Sequence, residues 1–236
     1  PQEDNALKVI KKQCNALGVE FILVGRDIKV KEIYHDSEKE TFDVQGMSLD
    51  YRHCVSRLLG RHQIINAACA AGIAESLRRR GVKISDESIK KGIEETENPG
   101  RCEIIARNPY IILDGAQNRA SANALKETIG RNFDYKKLIL ILGVSKKKDI
   151  KGIIEELSSL SDALILTKAN IERAEEPRAI ARFIKEKDVI LTDSVTEALR
   201  RARALASAED MILVAGSFFV IGEVKKVKFE KEKLSV

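Results

Sequence analysis

Residues 110–117 read YIILDGAQ, an uninterrupted apolar run that ends in an acidic residue followed by two small ones. Four more short apolar runs follow along the chain, at Leu138–Leu142, Ala163–Thr167, Val189–Thr192 and Met211–Ala215. Amphipathic segments separate them, with predicted helices over 120–130 and from Asp149, Pro177 and Ser194. Short apolar strands that alternate with helices are typical of a parallel sheet covered on both faces. Residues 99–236 are therefore predicted to form a Rossmann-like, doubly wound, mainly parallel α/β domain.

The region before residue 99 has a different organisation. Its pattern predicts an amphipathic helix, a short strand, a small antiparallel hairpin and two further helices, over Asp4–Leu17, Phe21–Val24, Lys29–Tyr34 with Thr41–Gln45, 62–80 and from the N-cap Ser85. Asn98-Pro99-Gly100 then interrupts the periodicity. We accordingly predict two domains, 1–98 and 99–236.

The composition excludes several classes of protein. Of the 236 residues, 44% are hydrophobic and 33% are charged, which is typical of a globular chain. The apolar runs are far shorter than the roughly 20 residues that cross a bilayer, and no secretory signal is present, so we expect a cytoplasmic protein without membrane contact. The net charge of +5 is dispersed and aromatic residues make up 5%, so nucleic acid is not an expected partner. The four cysteines form no CxxC pair and are expected to be reduced.

Common catalytic motifs are missing from the sequence. It contains no Gly-x-Gly and no Gly-Lys, so neither a dinucleotide fingerprint nor a phosphate-binding P-loop occurs. The three histidines lie in the first region, and no residues with the spacing of a metal site are found. The chain begins at Pro1 without an initiator methionine, so we expect a processed product or a piece of a longer protein.

Three polar residues stand in unusual positions. Asn66 lies on an otherwise apolar helix, where the alternative to a binding role is a packing asparagine bonded to backbone. Arg101 follows the Pro-Gly break and suits recognition of phosphate or carboxylate, or else forms a surface ion pair with Glu97 or Glu103. Asp114 ends a strand where a ligand could approach closely, or else caps the next helix.

Together these segments resemble a known family. The chain contains Gly60-Arg61-His62-Gln63-x-x-Asn66-Ala67, then Pro99-Gly100-Arg101, then Asp114-Gly115-Ala116-Gln117-Asn118, and it closes with 214–222, VAGSFFVIG. This order resembles the G-x-H-Q-x-x-N-A helix, P-G-R hinge and D-G-A-H-N turn of the folylpolyglutamate synthase/dihydrofolate synthase family, within the Mur ligase superfamily. The similarity extends over nearly the whole chain.

The resemblance implies an ATP-dependent ligase. Such enzymes phosphorylate the carboxylate of a folate or of dihydropteroate to an acyl phosphate, which the amino group of L-glutamate then attacks. It implies ATP and Mg²⁺ as cofactors, a monomeric full-length enzyme, and residues 1–98 as the remainder of an α/β ATPase domain. The P-loop, the magnesium ligands and the modified lysine of the family would precede Pro1, so the chain holds no expected metal ligand or catalytic residue. Alone, it is expected to be inactive.

Site residues also follow from the resemblance. It implies that Asn66, Arg101, Asp114, Gln117, Ser217 and Phe219 contact ATP, and that Lys148 and Arg173 lie on the glutamate side. Two of these depart from the family pattern, because Gln117 replaces the usual histidine and Phe219 replaces a common tyrosine. Glutamine cannot carry the charge of an imidazolium, which puts any role of that charge in doubt.

Two alternatives to a folate ligase are kept. The chain could be a nucleotide- or amino-acid-binding module without catalysis, or one subunit of a split ligase, as the missing P-loop and Gln117 would allow. It could also belong to a Mur-type ligase that acts on a peptidoglycan precursor. The Gly-Arg-His-Gln and Pro-Gly-Arg motifs favour the folate branch.

Overall fold

The computed structural model describes residues 1–184 and 188–233. They divide into two compact units, the first over residues 1–97 and the second from residue 98 onward. The division falls one residue before the predicted boundary. The first unit contains the helices α1 (Asp4–Leu17), α2 (Arg61–Arg79) and α3 (Asp86–Glu95), and the strands β1 (Lys29–His35), β2 (Glu40–Gly46) and β3 (Leu49–Ser56). The second contains α4 (Arg119–Asn132), α5 (Ile150–Leu157), α6 (Pro177–Ala181), α7 (Val195–Leu205), α8 (Phe218–Lys233), β4 (Glu103–Arg107), β5 (Tyr110–Asp114), β6 (Leu138–Leu142), β7 (Ala163–Leu166), β8 (Val189–Leu191) and β9 (Met211–Ala215).

In the first unit, a three-stranded antiparallel sheet in the order β1-β2-β3 packs against α2 and α3. Its core joins Phe42 and Val44 of β2 to Ile64 and Ala68 of α2 and to Ile89 of α3. The helix predicted over Asp4–Leu17 is confirmed as α1, which contributes no buried residue.

One predicted strand in this unit is wrong. Residues 21–24 form no strand, and only an isolated bridge joins Val24 to Ile28. The reason is a tight turn, in which the Leu23 N–H donates to the Asp27 carboxylate at 2.8 Å and the Gly25 N–H donates to the Ile28 carbonyl at 2.7 Å. Backbone groups used in this turn are not free to pair with a sheet. Strands β3 and β4 were not predicted.

In the second unit, a six-stranded sheet has the order β4-β5-β9-β6-β7-β8. All neighbours are parallel except β4, which pairs antiparallel with β5 at the edge. This confirms the predicted Rossmann-like α/β fold. The connections from β5 through β8 advance in one direction and the last returns to the centre, which places helices on both faces. One face packs against α7 and α8, through residues such as Ile141, Val214, Leu199 and Val220.

The predicted helix starts are confirmed by their caps. Ser85, Asp149 and Ser194 each accept a hydrogen bond from a backbone N–H in the first turn of their helix. Pro177 begins α6, where its missing N–H leaves no bond unmade.

All five parallel strands end at one edge of the sheet, called here the carboxyl edge. The edge is crowded at its centre, between β9 and β6. Gly216 has a φ of 101°, and a Cβ atom added there would lie 2.6 Å from the carbonyl oxygen of Gly143. Only glycine combines this backbone conformation with so close an approach.

Gly216→Ala is therefore expected to lower the free energy of unfolding of the second unit by about 2–4 kcal/mol, from the strained φ and the contact with backbone. Gly130 provides the matched control, since it lies in α4 with no atom near an added Cβ. Gly130→Ala is expected to raise the same quantity by about 0.5–1 kcal/mol. Urea unfolding measures both, and equal effects of the two variants would contradict the crowding at Gly216.

Candidate functional site

The loop before β4 is fastened to the end of β5 by two backbone donors. The Cys102 N–H donates to Asp114 Oδ2 at 2.8 Å, and the Gly115 N–H donates to the Gly100 carbonyl at 2.8 Å. Two loop residues have positive φ angles, 78° at Gly100 and 46° at Cys102. Cys102 and Asp114 are 12 residues apart in the sequence. Their hydrogen bond joins the Pro-Gly-Arg loop to the Asp-Gly-Ala turn at the carboxyl edge.

Asp114 is 8% exposed, and both its oxygens accept hydrogen bonds. Besides the Cys102 bond to Oδ2, the Ala116 N–H donates to Oδ1 at 2.8 Å. Burial raises the pKa of the Asp114 carboxyl above its usual range, against the opposing effects of these donors and of the Arg101 charge. The alternative that Asp114 caps the next helix is wrong, because Asn118 caps α4 by accepting the Ser121 N–H.

Arg101 carries its guanidinium over an aromatic ring. Its Cζ atom lies 4.9 Å from the ring centroid of Phe218, the first residue of α8, within the range of a cation–π contact. Glu103, considered above as an ion-pair partner, is instead bound to Lys225 Nζ at 2.7 Å and to the Gly100 N–H at 2.7 Å. The predicted alternative of an Arg101–Glu103 ion pair is therefore wrong, and the Arg101 guanidinium stacks on the Phe218 ring instead. Phe218 was not among the predicted site residues.

Ser217 and Phe219 lie beside this stack. Ser217 is buried, and its Oγ accepts the Phe219 N–H at 3.2 Å, which begins α8. The Phe219 ring lies under a second guanidinium, with Arg173 Cζ 4.3 Å from its centroid. Two consecutive aromatic residues therefore hold two arginines from different loops.

Arg173 and Phe219 line an open cleft of about 610 Å³, together with Lys146, Lys147, Ile171 and Glu172. The Lys146 N–H donates to the Arg173 carbonyl at 2.8 Å, which joins the loops after β6 and β7. The cleft is rich in positive charge and suits an anionic group. Lys148, predicted with Arg173, is exposed and does not line this cleft, whereas its neighbours Lys146 and Lys147 do.

Gln117 follows the turn, half-buried, and its N–H donates to Ser121 Oγ at 3.1 Å. Asn66 belongs to the first unit and is exposed on α2. Its Nδ2 donates to Gln63 Oε1 at 3.0 Å. The alternative of a packing asparagine bonded to backbone is therefore wrong.

Glu40 supports the Gly60–Gln63 motif, although it was not predicted. This carboxylate is fully buried, and its Oε1 accepts the N–H of Gly60, the residue that precedes α2, at 2.7 Å. Gly60 has a φ of 103°, so the turn into the helix depends on glycine and on this acceptor. No sequence signal marked Glu40, since a single acidic residue in a polar strand is common.

Within residues 1–184 and 188–233, no group of three His, Cys, Asp or Glu side chains could hold a metal ion. Each cysteine of the chain is a free thiol. None of the helices in the described part of the chain has the length and apolar character needed to cross a membrane.

The fold agrees with comparisons to known proteins. Residues 100–218 match the family described as Mur ligase, glutamate ligase domain. The chain is thus a member of the Mur ligase family. It is 31% identical, over 93% of its length and 26% of the relative, to a probable bifunctional folylpolyglutamate synthase/dihydropteroate synthase of Haloferax volcanii.

Two solved structures share the fold over nearly the whole chain. A Mycobacterium tuberculosis folylpolyglutamate synthase complexed with ADP has a TM-score of 0.89 at 23% identity, over 96% of this chain and 53% of that one. E. coli FolC in complex with DHPP and ADP has a TM-score of 0.83 at 24% identity, over 95% of this chain and 51% of that one. The chain therefore spans from about a quarter to half of the length of these proteins.

The Asp114 carboxyl is expected to titrate above its ordinary pKa of 3.8, and Arg101→Ala is expected to raise that pKa further by removing a nearby positive charge. Because the folded unit then holds this proton more tightly than the unfolded chain, the Asp114 contribution to stability falls as pH rises from 3.8 towards the folded value. A ¹³C NMR titration of the carboxyl carbon measures the pKa. An unchanged pKa in Arg101→Ala would contradict the proximity of the two charges.

Glu40→Ala is expected to lower the free energy of unfolding of the first unit by about 1–3 kcal/mol, because the Gly60 N–H would remain buried without its acceptor. Glu40→Gln keeps an acceptor oxygen and should cost less. Hydrogen exchange at the Gly60 amide provides the local readout. Equal losses in both variants would show that the carboxylate charge, and not this hydrogen bond, matters.

Proposed function

We propose that the chain forms the glutamate ligase domain, with part of the preceding ATPase domain, of an ATP-dependent ligase of the folylpolyglutamate synthase type. The observation that carries the proposal is the joining of the Pro-Gly-Arg loop to the Asp-Gly-Ala turn at the carboxyl edge, in a member of the Mur ligase family. Ligands of open α/β sheets bind at this edge.

The proposed reaction has two steps. A folate carboxylate oxygen attacks the γ-phosphorus of ATP, ADP leaves, and an acyl phosphate forms. The amine of L-glutamate then attacks the acyl carbon, phosphate leaves, and the amine loses a proton as the amide forms. The M. tuberculosis relative was solved in complex with ADP, and E. coli FolC was solved with DHPP and ADP, which supports a nucleotide and a folate-like substrate here.

On the nucleotide side, Arg101 supplies a fixed positive charge for the phosphates. Asp114 holds the Arg101 loop, and lone pairs left on its oxygens can accept from a ribose hydroxyl. Asn66, Gln117, Ser217 and Phe219 complete the proposed ATP contacts. Mg²⁺, when bound, would neutralise phosphate charge. We propose that its ligands lie elsewhere in the complete enzyme, as the resemblance to the folate ligases implies.

On the glutamate side, we assign the cleft beside Phe219. Lys146, Lys147 and Arg173 supply the positive charge that two carboxylates require. Lys148 stays a secondary candidate, since it is exposed beside this group. We place the complete enzyme in the cytoplasm as a monomer.

The test uses the complete protein that contains this chain. We expect ATP-dependent addition of glutamate to tetrahydrofolate or to dihydropteroate, measured as ADP release and product mass. Arg101→Ala is expected to lower kcat/KM for ATP by about 10- to 100-fold, as loss of a charge-assisted contact does. The control is Arg107→Ala, an exposed arginine at the opposite edge of the sheet.

Three results would overturn the proposal. Nucleotide binding without turnover in the complete protein would indicate a binding module. Turnover with a peptidoglycan precursor and not with a folate would indicate a Mur-type ligase of the cell wall. Equal effects of Arg101→Ala and Arg107→Ala would remove Arg101 from the nucleotide site.

A further inference from the structure

The Phe218 ring fills a space that two glycines leave open. A Cβ atom added to Gly115 would lie 2.4 Å from this ring, and one added to Gly100 would lie 3.0 Å from it. Gly115 has no positive φ that would itself require glycine, so the ring is what forbids a side chain there. The ring is thus set directly against both motifs of the carboxyl edge.

Burial does not explain an aromatic residue at this position. The Phe218 side chain is 41% exposed, whereas the next residues of α8 that face the core, Val220 and Ile221, are nearly fully buried. What covers the exposed ring is the guanidinium of Arg101, 4.9 Å from the ring centroid. A leucine would keep an apolar side chain beside the glycines, but it would offer no negative π-face to a cation.

Within residues 1–184 and 188–233, no hydrogen bond or ion pair fixes the Arg101 guanidinium, although its charge acts on the nearby Asp114 carboxyl. Its backbone is held on both sides, since the Arg101 N–H donates to the Asn98 carbonyl at 3.1 Å and the Cys102 N–H donates to Asp114. Glu103 is already bound to Lys225 and to Gly100. A long side chain on a fixed backbone retains most of its rotamer freedom unless a surface orients it, and the ring provides that surface.

We propose that Phe218 is a positioning residue, which orients the Arg101 guanidinium at the carboxyl edge before the nucleotide arrives. The proposal rests on the function proposed above for Arg101. According to this proposal, Phe218 increases the affinity for the nucleotide through Arg101, without contacting the nucleotide itself. Pre-orientation lowers the entropy lost when the arginine binds phosphate.

The experiment compares Phe218→Leu, Phe218→Tyr and Phe218→Trp in the complete protein. Leucine keeps an apolar side chain but removes the π-face, and it is expected to raise the KM for ATP about three- to tenfold with a smaller change in kcat. Tyrosine keeps the ring and is expected to restore the KM to within about twofold. Tryptophan presents a larger π-face, and in a variant whose thermal unfolding is unchanged it is expected to restore the KM to the same extent.

A double-mutant cycle tests whether Phe218 acts through Arg101. In the Arg101→Ala background, Phe218→Leu is expected to have no further effect on the KM for ATP. The matched control is Phe183→Leu, since Phe183 is a similarly exposed phenylalanine (47%) outside the site. The KM of the Phe183→Leu variant for ATP should stay unchanged. Thermal unfolding of every variant separates loss of the fold from loss of the Arg101 orientation.

A readout without catalysis uses the ring itself. Protons of Arg101 above the Phe218 face are shifted upfield by the ring current, and Phe218→Leu should remove that shift in the NMR spectrum of the chain. The inference is overturned if Arg101→Ala raises the KM while Phe218→Leu does not, or if the two effects add fully. Should Arg101→Ala itself leave the KM unchanged, the proposed function of Arg101 fails, and the role of Phe218 fails with it.

Discussion

The carboxylate of Asp114 is the constraint on which the carboxyl edge depends. It sits at the end of a fully apolar strand, and it satisfies one N–H from the loop before β4 and one from the turn that follows β5. A buried carboxylate is costly unless such donors surround it. The β4–β5 ladder ends at the pair Glu103–Leu113, and the Asp114 carboxylate extends the connection one residue further, to the loop that contains Cys102. Satisfying this one buried group therefore fixes the geometry of both motifs.

The first two residues of α8 contact arginines from two different loops of the carboxyl edge. Consecutive residues of a helix point in different directions, so Phe218 and Phe219 can each meet an arginine from a different loop. Arg101 faces the Asp114 turn, while Arg173 lies on the cleft that Lys146 and Lys147 also line. One short stretch, Ser217–Phe219, therefore separates the proposed nucleotide side from the proposed glutamate side within the second unit.

Local signals predicted much of the second unit, because five apolar strands and the caps at Asp149 and Ser194 are written in contiguous residues. The failures arose where partners are distant in sequence. Strand β3 has little alternation of polar and apolar residues and is defined by its pairing with β2. The apolar run Phe21–Val24 predicted a strand, but its backbone is held in a turn by the Asp27 carboxylate. Glu40 and Phe218 gain their importance only from contacts 20 or more residues away, with Gly60 and with Arg101. Periodicity carries no information about such contacts.

The Phe218 ring and its two glycines also constrain how this edge can change over generations. A side chain at position 115 needs the space that the ring occupies, and position 100 is restricted both by the ring and by its own φ of 78°. A smaller residue at position 218 would free position 115 but not position 100, where the φ of 78° still favours glycine, and it would leave Arg101 without an aromatic face to stack on. Positions 115 and 218 are thus expected to covary among relatives, with larger residues at 115 accompanied by smaller ones at 218. Such coupled changes would trace, in sequence alone, a contact between segments more than 100 residues apart.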